Sequence, residues 1–521
     1  MLNDTPEVPV GFLGGLAWDF IAPIHDASKS HPQFWVTLTS PLFLDNLKSY
    51  FGAAAGILLT LLFVYIIARS VYLVTWHPYA KYPGPFLAKF TILYSAYHAL
   101  KGDLHLDMWK CHQKYEIYQS AKQIQKSPDY QVMNLKVAST FTEVDKKIHE
   151  RKRRLVSHGF SDASLRLYEP RILTNVTKFV NRILSSKKSE DGWTESLNIG
   201  DFAGDFAFDV MTSVIYGLCY NLQEDPKYRF IIPVISGVNF RIGILSQAPM
   251  LAWRKMDRYI FHKAIKARNV FLGFVGKIIK DRMKATDITG DAFSILFAAK
   301  DDELKEGLSR DQLNAESLNF VVAGSDTTAT SMSATIFYLT RYPDAYTKAV
   351  AEVRSAFHDI KDCSVEKGPS RGLSFGGEYV PEGCELGTGI YSIHHSSKYY
   401  RDPFVYRPER WFSHQPDVNG QYSEEAALEL EEAKAAFNPF SLGMRGCVGK
   451  ALAMNEIMLA FAALLVSCDI QLTHCEESRL GEGSKNAEYG RHRVFEYQVK
   501  DWLIACRNGP MVKAKAWSRD E

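Results

Sequence analysis

The sequence lacks the features that mark several common classes of protein. Its eight cysteines are scattered and form no Cys-x-x-Cys pair, which excludes a zinc ribbon and gives no sign of a disulfide framework. Lysine and arginine total 61 against 59 acidic residues, so the basic excess of a nucleic-acid-binding protein is missing. Apolar residues make up 46%, too few for a protein with many membrane spans, and 23% charged residues argue against wholesale disorder.

One uncharged apolar run near the N-terminus is long enough to cross a membrane. Residues 51–68 would form a helix of about 27 Å, close to the thickness of an endoplasmic reticulum bilayer. Basic residues follow the run and acidic residues dominate the stretch before it, which indicates that the C-terminal side faces the cytosol. We therefore predict a lumenal segment over 1–50 and a single transmembrane helix over 51–75, in the endoplasmic reticulum membrane. The alternative interpretation of the run is a buried core helix.

The remainder of the chain is predicted to be a hinge followed by one large domain. Three prolines within residues 76–85 stiffen the chain and prevent a helix from continuing, which indicates a rigid spacer. Residues 86–521 have mainly helical patterns, with short strands and turns expected over 373–393.

A long helix is expected in the middle of this domain. Ser309-Arg-Asp-Gln312 has the pattern of a capping box, and Pro343 is a stop signal. The helix predicted over 310–340 would be roughly 45 Å long, enough to cross the whole domain.

The strongest functional signal is a cysteine-containing loop that precedes a further helical run beginning at Lys450. Its fixed positions form the motif Phe440-x-x-Gly443-x-Arg445-x-Cys447-x-Gly449. This motif resembles the haem-binding loop of the cytochrome P450 family, the haem-thiolate monooxygenases. The resemblance implies that Cys447 is the axial ligand of the iron in haem b.

The chemistry of the loop residues agrees with this interpretation. Glycines beside Cys447 let the backbone approach a flat cofactor, and amides at the start of the next helix can stabilise a thiolate. A thiolate ligand donates electron density to iron and favours cleavage of the O–O bond. Phe440 is expected to keep water away from the sulfur, and Arg445 to pair with a haem propionate. A cysteine outside such a motif would more simply be a buried, inert thiol.

A second motif, Ala323-Gly-Ser-Asp-Thr-Thr328, lies midway along the predicted long helix. It resembles the oxygen-activating signature of the same family and precedes the cysteine loop in the order that the family requires. Gly324 is expected to let O2 lie against the helix, Asp326 to link the site to solvent, and Thr327 to donate a hydrogen bond for proton delivery. The alternative is a kinked helix whose threonine hydroxyls bond back to the preceding turn.

A weaker match lies in His149-Glu-Arg-Lys-Arg153, where residues four apart share one helix face. It resembles the family's helix that carries an aromatic-x-x-x-Arg pattern, with His149 in the aromatic place, and implies that Arg153 reaches a propionate. The alternative is a basic, solvated face, which could also receive the acidic surface of a reductase.

The sequence also departs from the family's pattern. The family carries a Glu-x-x-Arg pair that interlocks with the arginine matching Arg410, and no such pair occurs between Arg341 and Tyr400. A block after Tyr115 also looks short. Either the sequence comes from an imperfect gene model that skips coding segments, or it is a degenerate paralogue. In the chain as written, an unpaired Arg410 in a core would cost several kcal/mol and is expected to weaken haem binding.

The resemblance implies a mainly α-helical fold with a small β region and haem between two helices. It implies a monooxygenase that inserts one oxygen atom of O2 into a small apolar organic substrate, with NADPH electrons delivered by NADPH–cytochrome P450 reductase. Similarity to fungal members suggests a tailoring step in secondary metabolism. The alternatives are dehydration, ring closure or desaturation at the same haem, or a membrane-anchored pseudoenzyme without catalytic activity.

Overall fold

The fold was analysed in a computed structural model, which describes residues 41–77, 80, 84–115, 126–134, 136–285, 288–301, 306–357, 389–411, 424–473 and 479–518. The chain divides into two units, Met1–Phe90 and Thr91–Glu521. Most of the predicted lumenal segment, half of the hinge, and residues 358–388, where the family's Glu-x-x-Arg pair was expected, lie outside the described residues.

The first unit contains one long apolar helix, α1 (Pro41–Thr75). Within it Lys48–Thr75 has a mean hydropathy of 2.4 and no buried residues in its most apolar window. The predicted membrane helix is therefore confirmed as an exposed apolar helix that could serve as a single anchor, and the buried-core alternative is wrong. The helix begins ten residues before position 51. Two other helices, Pro226–Gln247 and Lys450–Ser467, are also long and apolar enough to cross a membrane, but both pack partly into the second unit.

The second unit is mainly helical, as predicted. Its helices are α2 (Leu93–Lys101), α3 (Leu104–Tyr115), α4 (Lys146–Ser157), α5 (Asp162–Leu184), α6 (Ile199–Tyr216), α7 (Ile231–Gln247), α8 (Asp257–Ile260), α9 (His262–Lys284), α10 (Ala292–Ala298), α11 (Arg310–Arg341), α12 (Pro343–Ala356), α13 (Ile390–His394), α14 (Glu424–Ala436) and α15 (Lys450–Ser467).

The β structure of the described residues is small. The strands are β1 (Leu197–Asn198), β2 (Cys468–Leu472), β3 (Lys500–Asp501), β4 (Ala505–Cys506) and β5 (Met511–Ala516). β5 lies between β1 and β2 and is antiparallel to both, whereas β3 and β4 form a separate hairpin. The hairpin lies directly before Arg507, a residue that contacts the candidate site.

Helix α11 forms the centre of the second unit. Ser309 and Gln312 make both hydrogen bonds of a capping box at its start, and it ends at Arg341, before Pro343. The predicted bounds of 310–340 are therefore confirmed. The helix packs mainly on α6 and also contacts α9 and α15, so most of its surface is buried. This position explains why polar residues in its middle need specific partners.

Two local expectations are corrected. Of the region predicted to hold strands, 373–388 lie outside the described residues; its described end forms α13 instead of a strand, where Tyr391 donates to Glu496 across the fold. Arg410 is not left unpaired, because its guanidinium donates to the carbonyl oxygens of Arg407, Arg401, Asp402 and Val405, at 2.9 to 3.2 Å. Carbonyl oxygens are the acceptors that its fork of N–H groups needs.

Candidate functional site

The loop that carries Cys447 is held by its own backbone. The amide of Cys447 donates to the carbonyl of Phe440 at 2.8 Å, and the amide of Gly446 donates to the carbonyl of Gly443 at 3.0 Å. Gly443 has a φ of +64°, a left-handed conformation that favours glycine. These bonds place Cys447 just before the first turn of α15, where helix amides favour a thiolate.

The Cys447 thiol is accessible, whereas the buried thiol of Cys468 bonds to the Leu464 carbonyl at 3.2 Å. The alternative of a buried, inert thiol therefore does not describe Cys447. A Cβ placed on Gly443 would meet no atom within 4 Å, and one on Gly449 would meet no atom closer than 3.9 Å. The room beside these glycines is therefore not filled by packing within the protein, which fits a flat cofactor lying against the loop.

Four basic side chains converge beside the loop. Arg445 donates to the carbonyl oxygens of Glu143 and Val144 at 2.8 and 3.4 Å. Burial and the charges of Arg445, Arg153 and Lys126 lower the pKa of His149 to about 4. The buried Nδ1 of His149 has no hydrogen-bond partner among the described residues, so the site holds polar capacity that the protein leaves unused. A bound anion would relieve the repulsion among the positive charges of Arg445, Arg153 and Lys126.

This cluster, Arg445, Arg153, His149 and Lys126, fits the two carboxylates of a haem. Arg153 lies close enough to Cys447 for their charges to interact, so the cluster and the thiol belong to one site. Sequence reasoning missed Lys126, whose pKa is lowered to about 7 by burial and by Arg445. It lies outside any motif, and only the folded chain brings it to Arg445.

Residues 138–145, which we call the strap, connect the cysteine loop to α11. The strap carbonyls of Glu143 and Val144 accept from Arg445, and Thr140 Oγ1 donates to Glu316 on α11 at 2.7 Å. Burial raises the pKa of Glu316, since the Thr140 bonds only partly offset the loss of water. The strap therefore holds the thiol loop and the long helix in a fixed relation.

On α11, Thr327 has an exposed side chain on a helix that is otherwise mostly buried. Ala323 and Ser331, one turn before and one turn after, are exposed as well and continue the same stripe. The Thr327 hydroxyl donates to the Ala323 carbonyl at 2.6 Å, which is the back-bonded geometry of the alternative interpretation. The same hydroxyl oxygen remains accessible as an acceptor at this exposed face.

Asp326, by contrast, is buried and fully bonded. Arg507 Nη1 donates to its Oδ1 at 3.1 Å, and Asn239 Nδ2 donates to its Oδ2 at 2.9 Å. Burial raises the pKa of Asp326, and the charge of Arg507 opposes that rise. Sequence reasoning missed both partners, which lie 181 and 87 residues away along the chain.

Gly324 lies where α6 packs against α11. A Cβ on Gly324 would lie 1.5 Å from Cε of Met211, which is on α6, so the glycine leaves room for the end of the Met211 side chain. The expected role of Gly324 beside O2 stays a prediction. Thr327, not Gly324, lies on the exposed stripe of α11.

Glu456 is a further buried acid that sequence reasoning missed. It lies on α15, and Thr328 Oγ1 donates to its Oε2 at 3.3 Å. No basic group among the described residues pairs with it, and burial raises its pKa to about 8. The carboxyl is therefore protonated at neutral pH and joins α15 to the Asp326-Thr327-Thr328 turn of α11.

We expect Glu456 to make stability depend on pH. Its pKa in the folded state is above that in the unfolded state, so its contribution is complete below about pH 4.5 and is lost as the pH rises towards about 8. The free energy of unfolding should fall by a few kcal/mol over this window, on the order of 1.4 kcal/mol per pH unit. Glu456→Gln should remove this slope in denaturant titrations at pH 5 and pH 8, and the exposed control Glu352→Gln should keep it. An unchanged slope in Glu456→Gln would refute the assignment.

Comparisons with known proteins identify the family. A sequence model described as Cytochrome P450 matches residues 112–367 and 357–484. Cytochrome P450 monooxygenase AKT7 of Alternaria alternata is 35% identical over 510 residues, which cover 88% of this chain and 97% of that protein. Cytochrome P450 monooxygenase atnE of Emericella nidulans is 35% identical, covering 90% of this chain and 97% of that protein.

A solved structure supports the fold. The crystal structure of the cytochrome P450DA heme domain is 15% identical, with a TM-score of 0.59, and covers 80% of this chain and 94% of that chain. The chain belongs to the cytochrome P450 family. It is a cytochrome P450 monooxygenase, and the family implies a haem with a cysteine thiolate ligand, a redox partner and an organic substrate.

Proposed function

We propose that this chain inserts one oxygen atom of O2 into a small apolar organic molecule, with Cys447 as the haem ligand. The observation that supports it most is the accessible Cys447 thiol beside the cluster of Arg445, Arg153, His149 and Lys126. A bound haem supplies the activation of dioxygen, which thiolate donation favours. In this proposal Phe440 limits water at the sulfur, and the glycines of the loop let the cofactor lie close to the backbone.

The polar residues of α11 supply protons in this proposal. Asp326 takes protons from the solvent side, and Thr327 accepts and donates hydrogen bonds at the exposed stripe. The back-bonded geometry of Thr327 is compatible with this role, because its hydroxyl oxygen still has an acceptor lone pair.

The substrate is proposed to be small and largely apolar. This class of substrate is the one that the family implies. The pocket of about 240 Å³ between the segment around Met133 and the first half of α11 gives it no further support, because seven of its eleven lining residues are polar or charged and none belongs to the Cys447 loop or to the exposed stripe. The fungal relatives named above suggest a tailoring step in secondary metabolism.

We also propose the endoplasmic reticulum membrane as the location, with the catalytic domain in the cytosol. Helix α1 is apolar and exposed, and the basic residues that follow it favour the cytosolic side. NADPH–cytochrome P450 reductase in the same membrane would supply electrons. Lys146 and Lys147 on α4 are exposed and could meet its acidic surface.

A non-catalytic chain is the second candidate, because no Glu-x-x-Arg pair lies between Arg341 and Tyr400. The two matches of the family model overlap at 357–367, within the stretch where the pair was expected. Arg410, the arginine that such a pair would engage, already has carbonyl partners, which weakens the case for a destabilised fold.

The decisive test uses microsomes that contain the full chain and the reductase. With ¹⁸O2, NADPH and a panel of small apolar compounds, we expect a product that carries one ¹⁸O atom, in the membrane pellet and dependent on NADPH. A product that has lost two hydrogens without gaining oxygen would support desaturation instead. Absence of a carbon monoxide difference band at about 450 nm, with the protein present, would support the interpretation that the chain is not catalytic.

A further inference from the structure

The C-terminal hairpin of the second unit reaches the buried Asp326. Arg507, directly after β4, donates to one oxygen of Asp326, and Asn239 on α7 donates to the other. Asp326 is 5% exposed and Asn239 1% exposed, and the side chain of Arg507 is 7% exposed. The segment after β4 and helix α7 thus enclose a carboxylate in the middle of α11.

The surroundings are built to hold Arg507 in this place. Its Nε donates to the carbonyl of Gly200 at 3.1 Å, which fixes the guanidinium from the side of α6. A Cβ on Gly204 would lie 2.5 Å from Arg507 Nη2, so a larger residue there would displace the guanidinium. The hairpin itself is anchored on α11, where Thr330 Oγ1 donates to the Ala505 carbonyl at 3.1 Å.

We propose that Arg507 and Asn239 are positioning residues that keep Asp326 ionised and aligned, so that the C-terminal hairpin controls proton supply through this carboxylate. The proposal rests on the proposed role of Asp326 in proton delivery. Both carboxylate oxygens accept hydrogen bonds, an arrangement that favours the ionised form.

The other titratable groups near this pair do not replace Arg507. Burial raises the pKa of the Cys506 thiol, and Asp326 raises it further. Burial likewise raises the pKa of Tyr497, which lies near Arg507. Both groups are neutral at neutral pH, so Arg507 is the basic group that the described residues place against Asp326. Without Arg507, only the hydrogen bond from Asn239 would oppose the effect of burial, so the pKa of Asp326 would rise further.

Asn239 gives the two oxygens of Asp326 different roles. The Arg507 bond to Oδ1 is charge-assisted and is the harder to break, whereas the Asn239 bond to Oδ2 involves a neutral donor. The Oδ1 of Asn239 has no partner among the described residues. Oδ1 of Asp326, which is bound to Arg507, is therefore held more firmly than Oδ2, which is bound to Asn239.

The test measures the protonation of Asp326 directly, by infrared spectroscopy of the full-length protein labelled with ¹³C in the aspartate carboxyls. We expect Arg507→Met to gain a label-sensitive band of a protonated carboxyl at pH 7, which disappears in Arg507→Met/Asp326→Asn. The midpoint of the Asp326 titration should rise by at least about one pH unit. Arg507→Lys should restore the wild-type spectrum.

The functional arm measures hydrogen peroxide released per NADPH consumed, with reductase present and no added substrate, between pH 6 and pH 9. The pH profile of this ratio should shift to higher pH in Arg507→Met, as the infrared midpoint does. It should stay in place in the control Arg491→Met, because Arg491 bonds to Gln498 and to backbone carbonyls and not to Asp326. If Arg507→Met does not fold, Asn239→Leu should raise the infrared midpoint by a smaller amount.

An unchanged titration of Asp326 in folded Arg507→Met, or in Asn239→Leu if that variant alone folds, would overturn the proposal. A missing carbon monoxide band in the wild type would instead contradict the proposed function. The infrared result remains readable in that case, so the two failures are distinguishable.

Discussion

Replacing Cys447 with alanine is expected to abolish the carbon monoxide difference band at about 450 nm and all NADPH-dependent turnover. Cys447 is the accessible thiol of the loop, placed before α15 and close to the charge of Arg153. Alanine keeps the loop backbone but removes the sulfur that this loop would offer to iron. The loss should therefore be complete, and the fold should remain intact because the Cys447 side chain packs little against the core.

The matched control is Cys219→Ala, which removes another exposed cysteine, located just after α6 and outside the Cys447 loop. It should keep both the band and the activity. Circular dichroism and membrane fractionation should show both variants folded and anchored. Retention of the band in Cys447→Ala would refute the ligand assignment.

The double replacement Arg153→Ala/Arg445→Ala is expected to release haem. Each arginine would form a charge-assisted hydrogen bond with a haem carboxylate, worth about 1.5–3 kcal/mol, so loss of both should weaken haem retention by on the order of a hundredfold or more. The measurement is the rate of haem transfer to an excess of apomyoglobin, followed by absorbance. The single variants should show intermediate rates, because Lys126 and His149 remain in place.

Arg154→Ala is the control for this pair. Arg154 is next to Arg153 on α4, but its side chain is 61% exposed and it faces Asp301 at 3.5 Å. Its loss should leave the haem transfer rate unchanged. An equal effect of Arg154→Ala would show that general positive charge, and not the cluster beside the loop, holds the cofactor.

Local signals predicted the parts of this fold that local interactions determine. The bounds of α11 follow from its capping box and from Pro343, both of which act within one turn. The exposed helix α1 follows from an uncharged apolar run. The cysteine loop was predictable because a thiolate site requires fixed spacing between glycines, a basic residue and the ligand.

The partners of the site residues could not be predicted in this way. Arg507, Asn239 and Glu456 reach α11 from other elements, and nothing in the sequence around each of them distinguishes it from a surface or core residue. Gly324 shows a different limit, since the sequence does not reveal that the end of the Met211 side chain on α6 lies against this glycine. Arg410 found its acceptors on the backbone, which carries no sequence signal.

The strap of residues 138–145 has a mechanical consequence for the enzyme. Arg445 donates to the strap at the carbonyl of Glu143. Thr140, only three residues before Glu143, donates to Glu316 on α11. A connection of this length allows little relative movement between its two ends. A displacement of α11 at Glu316 would therefore also displace the loop that bears the thiol, so the positions of these two parts of the site are not independent.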